Sequence, residues 1–319
     1  MTPPRVVSLL PSATEIVAAL GFADAIVGRS HECDYPEEVG EVPVCTSAKL
    51  DPAAPSEEIH RSVGALLSEA LSVYRVDAER LRALAPTHIV TQVQCEVCAV
   101  SLADVEAALE GWTGEPPRLV PLNPGSLADV FADVARVAAA LDAPERGRRL
   151  VASLRARMDA IAARVSRLTA RPRVATVEWL APLMTAGNWM PELVRMAGGE
   201  DLFGEPGRHS GWIEWEEVRR ADPDAVLVFP CGFPLDRVRR EIGLLTSLPG
   251  WKQLAAARAG RVYLAEANQF FNRPGPRLVE TLEIVAEALH PGVFAFGHEG
   301  RAFVTLAEDR GLQESSSAG

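Results

Sequence analysis

The residues richest in chemistry stand in TQVQCEVCAV, residues 91–100, where Cys95 and Cys98 lie two residues apart just past an apolar run. That spacing suits two thiolates on one metal ion, or a dithiol redox couple. A second loop, SHECDYP, adds His31 and Cys33, and a Cys3His set of His31, Cys33, Cys95 and Cys98 would suit zinc or iron–sulfur chemistry. Cys231, in FPCGF, is a further thiol. The same groups admit covalent chemistry, with Cys95 or Cys98 as nucleophile and His31 as base. Against a four-thiolate centre, the chain holds a single C-x-x-C; against a thioredoxin-like couple, no compact thioredoxin-sized unit surrounds it. The third reading is a set of soft side chains that face a ligand, with no cofactor required. The chain has neither a Gly-rich phosphate loop nor a Gly-x-Ser-x-Gly elbow.

An internal repeat places these groups. ERLRALAPTHIVTQVQ, residues 79–94, matches EEVRRADPDAVLVFPC, residues 216–231, with Pro86 opposite Pro223 and Ile89-Val90 opposite Val226-Leu227. Each reads as a short helix, a Pro turn and a β-branched strand, and Cys95 falls one position past the residue aligned with Cys231. RVVSLLPSATEIVAALG, from Arg5, pairs likewise with RVATVEWLAPLMTAGNWMPELVRMAGG, from Arg173. Strands alternating with helices imply parallel sheets covered on both faces. The expected fold is therefore α/β, with two similar Rossmann-like lobes. Apolar residues at 150, 151, 154, 158, 161, 165 and 168 have helical spacing and predict one long connecting helix. It would run about 35 Å at 1.5 Å per residue. The expected boundaries are an N-terminal lobe over 1–142, the helix over 143–170, a C-terminal lobe over 171–300 and a tail over 301–319.

In open α/β sheets, ligands bind beyond the carboxyl ends of the strands. Two lobes with facing strand ends would form one cleft. From the first lobe this expectation nominates Ser12, His31, Cys33, Cys95, Cys98 and Asn123; from the second, Trp179, Asn188, Trp189, Trp212, Cys231, Phe233, Asn268 and Phe271. Five of the six tryptophans lie after residue 170, and three of them fall at strand ends or in the loops beyond, which suggests a flat apolar wall for a ring system.

Bulk properties narrow the partners. The 319 residues carry a net charge of −11, against the basic surface that general nucleic-acid binding needs. The arginine-rich stretch over 146–173 reads as the solvated face of a helix. No stretch approaches a membrane span, and the first twenty residues show no secretory leader. Five cysteines, an odd number, argue against a disulfide framework. These features lead to the expectation of a cytoplasmic monomer.

Specific motifs carry a family resemblance over about residues 5–291: RVVSLLPSATEIVAALG, VGRSHECDYP, ADPDAVLVFPCGF, MAGGEDLF and NRPGPRLVETLEIVAEALHP. The chain resembles substrate-binding proteins of the cobalamin and iron-chelate type, which serve ABC importers, and among them the group labelled cobalamin-binding, in which HECDYP and CEVCAV recur. The resemblance implies a non-catalytic protein whose two lobes, joined by one backbone helix, close on a corrinoid or related metal chelate. A corrin ring would suit the tryptophan wall, Asn188, Asn268 and Asn272 would meet its amide arms, and His31 or a thiol would approach the metal. It also implies that an ABC permease, if one is served, docks on Glu200 of Gly198-Gly199-Glu200, with Glu106 or Asp104 as the first-lobe acid. In two respects the chain departs from exported relatives: it shows no export signal, and SEEIHRSVGALLSEALSVYRVDAERL replaces a short turn.

Overall fold

The computed structural model describes residues 3–68, 73–93 and 100–307. It divides into two compact units, Met1–Leu154 and Arg155–Gly319. Unit 1 runs β1 (Val6–Ser8), α1 (Pro11–Val17), β2 (Ile26–Arg29), β3 (Thr46–Ala48), α2 (Ser56–Ser68), β4 (Tyr74–Val76), α3 (Ala78–Leu84), β5 (His88–Gln92), α4 (Leu102–Ala108), β6 (Arg118–Leu122) and α5 (Leu127–Ala140). Its main sheet has the order β2-β1-β5-β6, all parallel, with β3 and β4 as a separate antiparallel pair. Side chains alternate across the sheet. Val6 and Val90 join Ile16 and Val134 in one apolar cluster, while Val7 and Ile89 join Leu81 and Val105 in another. Helices thus cover both faces, as near-continuous apolar strands require.

Helix α6 (Pro144–Val165) contains the division between the units. Its buried stripe of Leu154, Met158, Ile161 and Val165 keeps the expected spacing. At 22 residues it is shorter than the 143–170 span expected. The chain leaves the helix after Val165, whose carbonyl accepts from Arg171 Nη1 at 3.2 Å.

Unit 2 continues with β7 (Arg173–Val177), β8 (Trp179–Leu180), β9 (Leu183–Thr185), α7 (Met190–Met196), β10 (Glu200–Asp201), β11 (Gly211–Trp212), α8 (Trp215–Ala221), β12 (Ala225–Val228), α9 (Leu235–Glu241), α10 (Gly243–Thr246), α11 (Ala255–Arg258), β13 (Val262–Ala265), α12 (Leu278–Leu289) and β14 (Phe303–Thr305). The main sheet is β10-β7-β12-β13-β14; its first four strands are parallel, and β14 pairs antiparallel with β13. Residues 303–305, expected in a tail, therefore form a sheet edge. A smaller antiparallel sheet, β11-β9-β8, follows β7.

The repeat holds down to single hydrogen bonds. Arg5 N donates to Thr87 Oγ1 (2.9 Å) and Arg173 N to Asp224 Oδ2 (2.8 Å). Arg5 Nη2 donates to the Leu84 carbonyl and Arg173 Nη1 to the Ala221 carbonyl, both at 2.7 Å. Helices α3 and α8 both end on a left-handed residue, Ala85 and Asp222, each with φ 42°, directly before the paired prolines. A left-handed residue stops the helix, and proline sets the chain into the next strand.

Candidate ligand-facing strand ends

In unit 1, β2 delivers Arg29 and then the loop carrying Ser30, His31 and Cys33. Arg29 organises that loop by donating to the carbonyls of Cys33 (2.9 Å), Gly40 (2.9 Å) and Val42 (3.1 Å). A planar guanidinium with five donors suits this gathering of carbonyls. His31 is held at Thr46 on β3: its backbone N (3.1 Å) and its Nδ1 (2.7 Å) both meet Thr46 Oγ1. Thr46 Oγ1 also lies 3.2 Å from Ser30 Oγ, so the imidazole is tied through Nδ1 into a small hydroxyl cluster. Burial, with the nearby Arg29 charge, pushes the imidazole below its ordinary pKa, so it is neutral at physiological pH. Tyr74 packs beside it at a centroid distance of 5.7 Å.

Cys33 lies deeper, 1% exposed, with Sγ 3.0 Å from Thr14 Oγ1, which also reaches Ser8 Oγ at 2.8 Å. Ser12 is buried in the first turn of α1 and Asn123 is exposed after β6. Cys95 and Cys98 lie outside the described residues. Among the described residues no three His, Cys, Asp or Glu side chains converge as a metal set, and Cys33, Cys45 and Cys231 are thiols rather than disulfides. Burial pushes the Cys45 thiol up to about 11.

In unit 2, the end of β7 brings in a residue that the sequence reading missed. Glu178, 9% exposed, accepts from the hydroxyl of Ser210 on Oε2, and on Oε1 from the Cys231 thiol (3.2 Å) and Asn272 Nδ2 (3.4 Å). Cys231 N also donates to the Glu178 carbonyl at 3.0 Å, which continues the β7–β12 pairing past the strands. Asn272 Nδ2 lies 3.4 Å from Cys231 Sγ, and its Oδ1 accepts from Gly232 N at 3.3 Å. Burial raises the pKa of Glu178 above its ordinary value, opposed by the bonds from Ser210 and Cys231, the charge of His209 and the Gly187 amide.

The expected aromatic wall separates into parts. Trp212 is 57% exposed. Trp179 is buried edge-on to Phe233, at 5.4 Å, and its indole donates to the Ala181 carbonyl. Phe233 is buried too, with the Arg237 guanidinium 3.7 Å from its ring centroid. Trp189 and Phe271 belong to the interior: the Trp189 indole donates to the Phe271 carbonyl at 3.1 Å, and the Phe271 ring stacks on Phe229 at 4.6 Å. Trp215 and Trp251 stack on each other. Asn188 holds a left-handed turn (φ 53°), and Asn268, half-buried, donates its backbone N to the Phe233 carbonyl.

Gly198 and Gly199 have local reasons. Gly198 ends α7 at φ 88°, and a Cβ on Gly199 would meet Val174 and Val194 at 2.9 Å. Glu200 follows, exposed at the start of edge strand β10. Asp104 is engaged in a capping box with Ser101, whereas Glu106 is exposed on α4. His298 is buried, with Nε2 3.1 Å from Glu283 Oε2.

The chain is similar to an uncharacterised ABC transporter substrate-binding lipoprotein, YvrC, of Bacillus subtilis, at 22% identity over 92% of this chain and 82% of the relative. It is similar at 24% identity to a vitamin B12-binding protein of Vibrio parahaemolyticus, over 89% of this chain and 88% of the other. Among solved structures, the periplasmic heme-binding protein RhuT of Roseiflexus shares the fold with a TM-score of 0.65 at 24% identity, over 91% of this chain and 99% of the other. These likenesses overturn the expected cytoplasmic placement. That expectation rested on the first twenty residues and the odd cysteine count, whereas the matching family is periplasmic and one relative is a lipoprotein. The family model described as periplasmic binding protein matches residues 6–268, most of the chain, and the chain belongs to that family.

Proposed function

We propose that this protein binds a metal chelate of the corrinoid type as the substrate of an ABC importer and catalyses no reaction on it. The observation that carries this reading is His31: an imidazole just past a strand end, anchored through Nδ1 on Thr46 and shifted by burial toward its neutral form. A neutral imidazole anchored through one ring nitrogen suits the open axial position of cobalt or iron in a macrocycle. In unit 2, the exposed indole of Trp212 offers flat apolar surface of the kind on which a macrocycle packs. The vitamin B12-binding and heme-binding relatives support a tetrapyrrole-like ligand.

Titration of the purified, reduced protein with hydroxocobalamin, followed by tryptophan emission and corrin absorbance, tests the reading. Saturable quenching at one equivalent is expected, with a corrin spectrum that differs from that in buffer. His31→Ala should weaken binding by about 10- to 100-fold, the range typical when a metal's donor environment is damaged. Absence of quenching by hydroxocobalamin, with tight binding of hemin instead, would overturn the corrinoid assignment in favour of a porphyrin; binding of neither would overturn the chelate reading.

A further inference from the structure

The hairpin of β3 and β4 lies outside the main sheet of unit 1 and brings two side chains to His31. Thr46 stands opposite Val76 and Tyr74 opposite Ala48, so Thr46 and Tyr74 are diagonal neighbours on one face of the hairpin. Thr46 Oγ1 meets the His31 backbone N at 3.1 Å and Nδ1 at 2.7 Å, and the Tyr74 ring packs beside the imidazole at a centroid distance of 5.7 Å. We propose that this hairpin is a specificity element: Thr46 and Tyr74 position the His31 ring so that Nε2 is the nitrogen left for a metal, and the protein thereby selects chelates whose metal carries an exchangeable axial ligand. The inference rests on the function proposed above and names the substrates that it prefers.

The hairpin is anchored on both strands. The approach to β3 is stitched to β2, where the Arg29 amide donates to the Pro43 carbonyl (3.0 Å) and the Cys45 amide to the Arg29 carbonyl (2.8 Å). A Cβ on Gly28 of β2 would come within 2.8 Å of Cys45 Sγ, so glycine there lets the base of the hairpin seat against the sheet. Strand β4 runs into α3 through Asp77, whose amide donates to the Cys45 carbonyl at 2.9 Å. Tyr74 is itself buried, in one apolar cluster with Val7 and Ile89 of the main sheet. His31 thus has a hydrogen-bond anchor and an aromatic neighbour that are both fixed to the core, the support a binding side chain needs to meet its ligand in one orientation. Binding at the metal is an exchange: a water leaves the axial position, the Nε2 lone pair takes its place, and no electron moves. A neutral imidazole bound through Nε2 carries its N–H on Nδ1, where Thr46 Oγ1 stands to accept it, with Ser30 Oγ 3.2 Å further on as partner for the Thr46 hydroxyl. A metal whose axial position is held by a strong ligand such as cyanide cannot make this exchange readily.

Titrations of the parent, Thr46→Val and Thr46→Ser with hydroxocobalamin, cyanocobalamin and hemin test the inference, followed by tryptophan emission and macrocycle absorbance. Hydroxocobalamin offers an exchangeable position, whereas cyanocobalamin presents the same ring with that position held by cyanide. The parent should bind hydroxocobalamin the more tightly, with a change in its corrin spectrum that cyanocobalamin does not show. Thr46→Val keeps the side-chain shape and removes the hydroxyl; it should weaken hydroxocobalamin about 10- to 100-fold and leave cyanocobalamin binding unchanged. Thr46→Ser should restore the preference, and in a His31→Ala background Thr46→Val should have no further effect. Equal affinity of the parent for the two corrinoids, an equal loss of both in Thr46→Val, or no loss of either overturns the inference and leaves the proposed function standing. If hemin binds in place of the corrinoids, Thr46→Val should change the ferric-heme spectrum and Thr46→Ser should not; identical spectra overturn the inference. Binding of none of the three ligands overturns the proposed function and this inference together.

Discussion

Glu178 gathers three neutral donors, Ser210, Cys231 and Asn272, around a carboxyl that is mostly out of water. Its folded-state pKa is raised by burial, so the folded protein holds this proton more tightly than the unfolded chain. The associated stability is complete below the ordinary carboxylate pKa and is lost as pH rises through the raised value. Glu178→Gln keeps the shape and removes the charge. The melting temperature of Glu178→Gln minus that of the parent should therefore grow more favourable from pH 5 to pH 8 in thermal scans. A difference independent of pH would mean that Glu178 is charged at no appreciable cost. In the sequence this residue looks like one more acid in a chain of net charge −11. The signal that could have found it is the repeat: with Arg5 set opposite Arg173, Glu178 falls opposite the buried Leu10. Cys231 was legible because it ends a strand with a clear counterpart. Trp189 and Phe271 were misjudged because strand-end position does not say which way a large side chain turns, and an indole N–H is satisfied inside when a carbonyl such as that of Phe271 is near.

At the scale of elements, the repeat was legible because its marks are local: an apolar strand, a helix stop, and proline at Pro86 and Pro223. Two features were not. Strand β14 forms through a contact distant in sequence, Tyr263 opposite Thr305, which no local pattern announces. The connecting helix ends earlier than expected: the Arg167 and Leu168 amides tighten onto the carbonyls of Arg164 and Val165, and Arg171 turns back on the Val165 carbonyl. The paired helix stops give a contrast that substitution can measure. Ala85 and Asp222 share a left-handed backbone at φ 42°, which costs a non-glycine residue roughly 1–2 kcal/mol. Ala85→Gly should therefore stabilise unit 1 by about 1 kcal/mol. Asp222→Gly relieves the same backbone but removes the carboxylate that accepts from Ala255 N at 2.7 Å, the start of α11. Loss of a charge-assisted bond of about 1.5–3 kcal/mol should make that change neutral or destabilising. Denaturant midpoints of the two variants check the pair; equal gains would show that the Asp222 contact contributes nothing.

At the scale of the whole molecule, the internal repeat and the strand–helix alternation pointed to an α/β protein in two parts, but the first twenty residues and the cysteine count misled on compartment, since leaders and cysteine parity report on processing and redox rather than on the folded chain. The tryptophan distribution, read as a ligand wall, has a second use. Trp112 is the tryptophan of unit 1, and Trp179, Trp189, Trp212, Trp215 and Trp251 belong to unit 2, so tryptophan emission reports chiefly on unit 2. A ligand that binds the folded form alone at 100 times its dissociation constant adds about 2.7 kcal/mol of stability. For a unit of this size that corresponds to roughly 5–10 °C in the melting temperature. If the strand ends of unit 2 supply the ring surface, saturating hydroxocobalamin should raise the tryptophan-reported transition by that amount, and Trp212→Ala should reduce the rise. Trp212 is more than half exposed, so its removal should leave the transition of the ligand-free protein nearly unchanged. A ligand-induced rise that survives Trp212→Ala in full would move the ring contact away from β11, and a rise seen by circular dichroism but absent from tryptophan emission would assign the binding energy to unit 1 and its His31.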